Sequence, residues 1–187
     1  MRFANIGGRL WLQTGDQRIV DLEHASSGQL CPRPRWVYDN WEQVTTFISS
    51  LHSIDEHAQA PTEVACGNPA PEPRQVFAIG LNYREHASET KQPIPKDLSV
   101  FTKFPASLAD PSADVRWPGG NVDWEAELVV VIARHAYKVS PENAWAHVAG
   151  LTVGQDFSER ILQLSGRPPQ FSLAKSYPGF GPMGPVW

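Results

Sequence analysis

Asp123-Trp124-Glu125-Ala126-Glu127-Leu128 runs directly into Val129-Val130-Val131-Ile132-Ala133, an acidic segment joined to an apolar one. Such an apolar run reads as a β-strand, and a strand sends alternate side chains to opposite faces. Asp123, Glu125 and Glu127 then share one face, with Trp124, Ala126 and Leu128 packed behind them. Carboxylates in a row repel one another, and a strand that carries them toward an interior needs positive charge between them. A divalent cation meets that need. The plainer alternative is a solvated polar edge of an antiparallel sheet.

Downstream, Leu151-Thr152-Val153-Gly154-Gln155-Asp156 reads as a second apolar strand that ends in an acid, and Phe157-Ser158-Glu159-Arg160 after it carries charge of both signs. Asp156 can join the two glutamates as a third oxygen donor. Three such donors suit Mg²⁺ or Mn²⁺ and leave about three octahedral positions for water or substrate. Between the strands, Ser140-Pro141-Glu142 has the pattern of a helix start, and Gly150 is expected to end that helix. Upstream, Gln75 to Leu81 reads as a buried strand and Tyr83 to Glu89 as a short helix closed off by Pro93 and Pro95. On that helix His86 and Glu89 are neighbours, so the carboxylate can orient the imidazole as a general base. An ordinary surface pair has the same spacing.

Residues 1 to 22 read as short strands broken by Gly7-Gly8 and by Thr14-Gly15-Asp16. Asp39 or Asn40 caps a helix with Trp41, Val44, Ile48 and Leu51 on one face. From Ala60 to Arg74, Pro61, Gly67, Pro69, Pro71 and Pro73 mark a loop or linker. The chain therefore divides into a small N-terminal α/β domain with its linker over residues 1–70 and a second domain over 71–187. Val186-Trp187 reads as the opening of a strand, so the chain is expected to be truncated at its C-terminal end. Gly179-Phe180-Gly181-Pro182-Met183-Gly184 fits a dinucleotide-binding pattern by letter only. It has no strand before it and no helix after it, and Pro182 removes an amide that a phosphate would use.

The 187 residues suffice for one domain and a small appendage. A net charge of −4 with both signs interspersed gives no basic stripe, so neither nucleic acid nor an anionic membrane is an expected partner. The apolar runs are too short to span a bilayer and the first residues lack a hydrophobic signal segment, so a cytoplasmic location is expected. Cys31 and Cys66 lie far apart and read as reduced thiols without a catalytic role. His24, His52, His57, His135 and His147 have no metal-type spacing.

Five blocks then fall into a known order: Phe77 to Ala87, Phe101-Thr102-Lys103-Phe104-Pro105, the acidic strand, Gly150 to Arg160, and Ala174-Lys175-Ser176. Together they resemble the catalytic domain of the fumarylacetoacetate hydrolase family over residues 75 to 187; before residue 70 the resemblance is weak. It implies an α+β fold, a mixed β-sheet roll of that family's C-terminal domain type preceded by a small N-terminal domain. It also implies a metal triad of Glu125, Glu127 and Asp156 for Mg²⁺, or Mn²⁺ or Ca²⁺, with Asp123 outside the triad as an acceptor or structural residue. His86 and Glu89 would be the dyad that activates water on a mobile lid helix, and Lys175 the group that stabilises an enolate. Lys103, Arg160, Gln163 and Tyr83 would line the substrate pocket. The implied activity is hydrolysis of a carbon–carbon bond in a 2,4-diketo acid, an acylpyruvate- or fumarylacetoacetate-like small molecule, by a homodimer. Isomerisation, hydration, tautomerisation or 2-oxo acid decarboxylation within the same family stay open, as does a truncated metal-binding scaffold without turnover. A metallophosphoesterase would need ligands that this chain does not offer at suitable spacing.

Overall fold

A computed structural model describes residues 1–14, 18–51, 57–60, 65–89, 91 and 93–185. The expected turn at Gly15-Asp16, the linker residues 61–64, His52 and the strand opening at Val186-Trp187 lie outside the described residues.

The N-terminal part is built on a hairpin. β1 (Arg2–Ile6) and β2 (Arg9–Gln13) pair antiparallel across Gly7 and Gly8, whose φ angles of 61° and 78° suit a two-residue turn that side chains would strain. β3 (Ile19–Asp21) extends the sheet beside β2, and the Asp21 carboxylate caps α1 (Leu22–Ala25). After α2 (Pro34–Asp39), α3 (Trp41–Ser50) lays Trp41, Val44 and Ile48 on the sheet, as the helical spacing required. The resulting core joins them to Phe3, Leu10, Leu12, Val20, Leu22, Leu30 and Val37. Full burial of each such aliphatic side chain contributes about 1.5–3 kcal/mol, and Ala133 and Ala149 from the later part of the chain pack against the same cluster.

In the described part of the Pro-rich segment after it, residues 66–68 are tied to β1 and to Asp110. Cys66–Gly67 forms β4 against β1, the Asn68 amide donates to Asp110 Oδ1 at 2.7 Å, and Asn5 Nδ2 donates to the Asn68 carbonyl at 2.7 Å. A Cβ on Gly67 would lie 3.0 Å from that aspartate oxygen, so close backbone approach, not flexibility, is what this glycine provides.

The remainder is a set of short pairings around one long one. β5 (Phe77–Gly80) pairs with β6 (Ser99–Thr102), and α4 (Arg84–Glu89) lies between them in sequence. β7 (Leu108–Ala109) runs parallel to β12 (Gly181–Pro182), and β8 (Val122–Asp123) pairs with β11 (Ser158–Glu159). β9 (Ala126–Ile132) and β10 (Val148–Gln155) form the long antiparallel ladder. Met183 bridges to Gly154 on the other side of β10. α5 (Pro141–Ala144), α6 (Arg160–Leu164) and α7 (Phe171–Ala174) are one to one and a half turns each.

Four expectations need correction. The acidic segment is not one strand: Trp124 and Glu125 break it, because β8 finds its partner in β11 instead of continuing β9. Trp124, Ala126 and Leu128 do not pack behind the acids but face solvent. Only the inner face of the ladder is covered, with Val131 and Met183 packed on Ala70 and with Tyr38 and Ala149 alongside. β5 is half exposed rather than buried, with Phe77 on its open side. The helix from Pro141 stops at Ala144, a 3₁₀ turn follows at Trp145–His147, and Gly150 sits inside β10 at a register irregularity. Among the described residues, no helix is long and apolar enough to cross a membrane.

Candidate functional site

The ladder between β9 and β10 sets the site. Ala126 pairs with Gln155 and Glu127 with Gly154, and the Asp156 amide continues the register by donating to the Glu125 carbonyl at 2.9 Å. Cross-strand partners share a face, so Glu125, Glu127 and Asp156 all project inward. Gly154 opposite Glu127 is required by packing: a Cβ there would lie 2.7 Å from Val129 Cγ2 and 3.4 Å from Met183 Cβ.

Two lysines from other segments meet these acids. Lys175, in the turn that ends α7, donates from Nζ to Glu125 Oε2 at 2.9 Å, Asp156 Oδ2 at 2.8 Å and Ser158 Oγ at 2.7 Å. Lys103, just past β6, donates to Asp156 Oδ1 at 2.7 Å, to the Phe180 carbonyl at 3.1 Å and to the Lys175 carbonyl. Lys175, Lys103 and Asp156 are 2%, 6% and 7% exposed, so these bonds form away from bulk water and carry correspondingly more energy. Burial pulls the Lys103 ammonium below its usual pKa, and the adjoining Asp156 charge opposes that pull.

Arg160 closes the other side. Its Nε and Nη2 donate to Asp123 Oδ2 at 3.1 and 2.8 Å, Nη2 also reaches Glu125 Oε1 at 2.7 Å, and Nη1 donates to Gln163 Oε1 at 2.8 Å. It is placed by α6, whose first turn is capped by Glu159 accepting from the amides of Ile161 and Leu162. The guanidinium bond holds the Asp123 carboxyl below the usual carboxylate range.

Glu127 is the odd member. Burial first, and then the charges of Glu125 and Asp156, push its carboxyl pKa up, while Lys175 and His86 pull it partly back. His86 on α4 is therefore within electrostatic reach of the acids. It is half-buried, whereas Glu89 and Tyr83 are exposed. Asp123, Glu125, Glu127 and Asp156 against Lys103, Arg160 and Lys175 leave one net negative charge before His86 is counted.

Whether these residues fit a divalent cation follows from donor chemistry. Glu125 and Asp156 already place one oxygen each on a shared cation, the Lys175 ammonium, and Glu127 stands beside them with surplus negative charge. Hard oxygens in charge excess are what Mg²⁺ or Mn²⁺ selects. Yet among the described residues no three His, Cys, Asp or Glu side chains are drawn into a ready-made ligand cage. Placement and donor chemistry fit; the side chains must still close.

The predicted residues thus fall into two groups. Glu125, Glu127, Asp156, Lys103, Lys175, Arg160 and Gln163 converge, and the charge of His86 is felt at Glu127, while Glu89 and Tyr83 are exposed. Lys103 and Arg160, expected to line a pocket, instead spend most of their donors on protein acceptors. Sequence reasoning passed over Ser158, whose fully buried hydroxyl accepts from Lys175, and Phe101, whose ring centroid lies 5.3 Å from Lys175 Nζ. Ser158 follows Asp156 by two residues, which was the available signal.

Residues 75–187 match the family described as fumarylacetoacetate (FAA) hydrolase C-terminal. The chain is 33% identical over 179 residues to the mitochondrial oxaloacetate tautomerase fahd2 of Xenopus laevis, covering 95% of this chain and 56% of that protein. The crystal structure of a provisional HpcE protein from Mycobacterium smegmatis superposes with a TM-score of 0.89 at 45% identity, covering 100% of this chain and 65% of that one. Maleylpyruvate hydrolase from Sphingobium sp. SYK-6, solved with manganese(II) and pyruvate, superposes with a TM-score of 0.73 at 24% identity, covering 100% and 66%; at that identity the likeness speaks for the fold alone. The α+β roll expected from sequence is thereby met. The chain spans about half the length of the curated relatives it matches.

Proposed function

Because the chain belongs to the fumarylacetoacetate hydrolase family of enzymes, which has hydrolase and isomerase members, we propose that the acids of β9 and β10 form the active site of a divalent-cation-dependent enzyme acting on a small 2-oxo acid. The preferred reaction is hydrolysis of a carbon–carbon bond in a 2,4-diketo acid. One observation carries this reading: Glu125 and Asp156, brought together by strand register, share a single cationic group with Glu127 alongside.

Glu125, Glu127 and Asp156 would hold the ion. A bound Mg²⁺ or Mn²⁺ supplies Lewis-acid polarisation of a 2-oxo acid. His86, oriented by Glu89, accepts a proton from water, whose oxygen adds to the distal carbonyl carbon. The bond between that carbon and the adjoining methylene breaks, and its electron pair passes into the enolate of pyruvate. Lys175 donates a hydrogen bond to the enolate oxygen, and a proton returned to carbon completes pyruvate. Arg160 fixes Glu125, and Lys103 fixes Asp156, so that the acids do not turn away during the cycle.

A second reading, keto–enol tautomerisation of a 2-oxo diacid, is favoured by the activity named for the Xenopus relative. It uses the same groups without attack by water. Incubation of the purified protein with Mg²⁺ or Mn²⁺ and either an acylpyruvate or oxaloacetate separates the two. Hydrolysis releases pyruvate from the acylpyruvate in step with loss of the enol absorbance; tautomerisation changes the absorbance of oxaloacetate with no more pyruvate than a protein-free control containing the same metal ion forms. Neither change with either compound sinks both readings.

A further inference from the structure

We propose that Lys175 is a tethered occupant of the cation site, holding Glu125 and Asp156 together until it withdraws on binding of a divalent cation. This inference rests on the proposed cation site and adds a step that precedes chemistry.

The hydrogen-bond count carries it. An ammonium has three donors, and Lys175 Nζ spends them on Glu125, Asp156 and Ser158. In this arrangement it has none left for a substrate oxygen, and its side chain is only 3% exposed. Each oxygen of the two acids likewise carries one of these bonds. Glu125 has Oε1 on Arg160 and Oε2 on Lys175, while Asp156 has Oδ1 on Lys103 and Oδ2 on Lys175. The one oxygen of each acid not held by another residue therefore points at the same ammonium. A divalent cation that takes Glu125 Oε2 and Asp156 Oδ2 together would compete with Lys175 Nζ for the space between them.

The surroundings allow the withdrawal and limit its extent. The Lys175 amide donates to the Phe171 carbonyl at 3.0 Å and its carbonyl accepts from Lys103, so the backbone is fixed and only side-chain torsions need change. The ring of Phe101, 5.3 Å from Nζ, offers a cation–π seat beside the site, and Ser158 Oγ stays within reach as an acceptor. Released from two carboxylates, the ammonium regains donors for an anionic ligand. The order of events follows: cation first, substrate second.

The test is an ammonium-detected NMR titration of the full chain labelled with [¹⁵N]lysine, with Lys175→Met used for assignment and calorimetry run in parallel. The metal-free protein should show protected Nζ signals for both Lys103 and Lys175. Addition of Mg²⁺ should speed hydrogen exchange at Lys175 by at least about 10-fold while Lys103 keeps its protection. If calorimetry shows Mg²⁺ bound and the Lys175 signal is unchanged, the displacement is overturned and the cation site stands. If neither Mg²⁺ nor Mn²⁺ binds, the site and the displacement fall together. Lys175→Met should also bind Mn²⁺ about 10-fold more tightly than wild type, since it lacks the competing ammonium. Equal or weaker binding overturns the competition.

Discussion

Replacing Lys103 by Met tests the packing of the site most sharply. Met keeps the length of the stem, so little apolar contact is lost, but the Asp156 Oδ1 atom and the carbonyls of Phe180 and Lys175 lose their donor. Breaking a buried ion pair by removal of one partner costs about 3–5 kcal/mol. Asp156 retains Lys175 on its second oxygen, which places the expected loss at the lower end, about 3 kcal/mol. At about 2–4 °C per kcal/mol for a chain of this length, the melting temperature should fall by about 6–12 °C. Circular dichroism melts and urea titrations of Lys103→Met, Asp156→Asn and the double variant read it directly. The double variant should lose less than the sum of the singles, because each removes the same pair. A Lys103→Met protein that melts within about 2 °C of wild type would refute the claim that this ammonium is an internal strut.

Other outcomes follow from neighbouring geometry. Glu127→Gln should raise the melting temperature of the metal-free protein at neutral pH, since it removes a charge crowded by Glu125 and Asp156, and should abolish Mn²⁺ binding in the same calorimeter. Gly154→Ala should lower stability by about 1–3 kcal/mol in urea titrations, because its Cβ meets Val129 Cγ2 at 2.7 Å. Glu159 caps α6, and the amides of Asn121 and Leu162 hold its pKa below the usual carboxylate range. Its contribution is therefore present above the unfolded carboxyl value, about pH 4.3, and is lost as pH falls through the lower folded value. Melts across pH should show Glu159→Gln destabilised near neutrality and converging on wild type in strong acid.

Local patterns carried most of what the sequence made legible. The Gly7-Gly8 turn, the apolar stripe of α3, the helix at α4 and the strand that leads into Asp156 each depend on a short-range pattern, and each is present. Period-two alternation also placed Glu125 and Glu127 on one face. What failed depends on contacts between distant segments. Nothing near Trp124 announces that β8 pairs with β11, and the helix that starts at Pro141, where its signals put it, is cut short before the ladder that begins at Val148. The lysines were recognisable as cations but not as buried ones. Lys103 reaches Asp156 across 53 positions, and only the folded chain reveals that it and Lys175 spend their donors on protein oxygens.

Three carboxylates sharing one ion are the foundation of the proposed chemistry. Binding of Mn²⁺ measured by electron paramagnetic resonance on wild type, Glu125→Gln, Glu127→Gln and Asp156→Asn tests it most directly. One ion per chain in wild type, lost in all three variants, is the predicted result; undiminished binding in any one of them contradicts it.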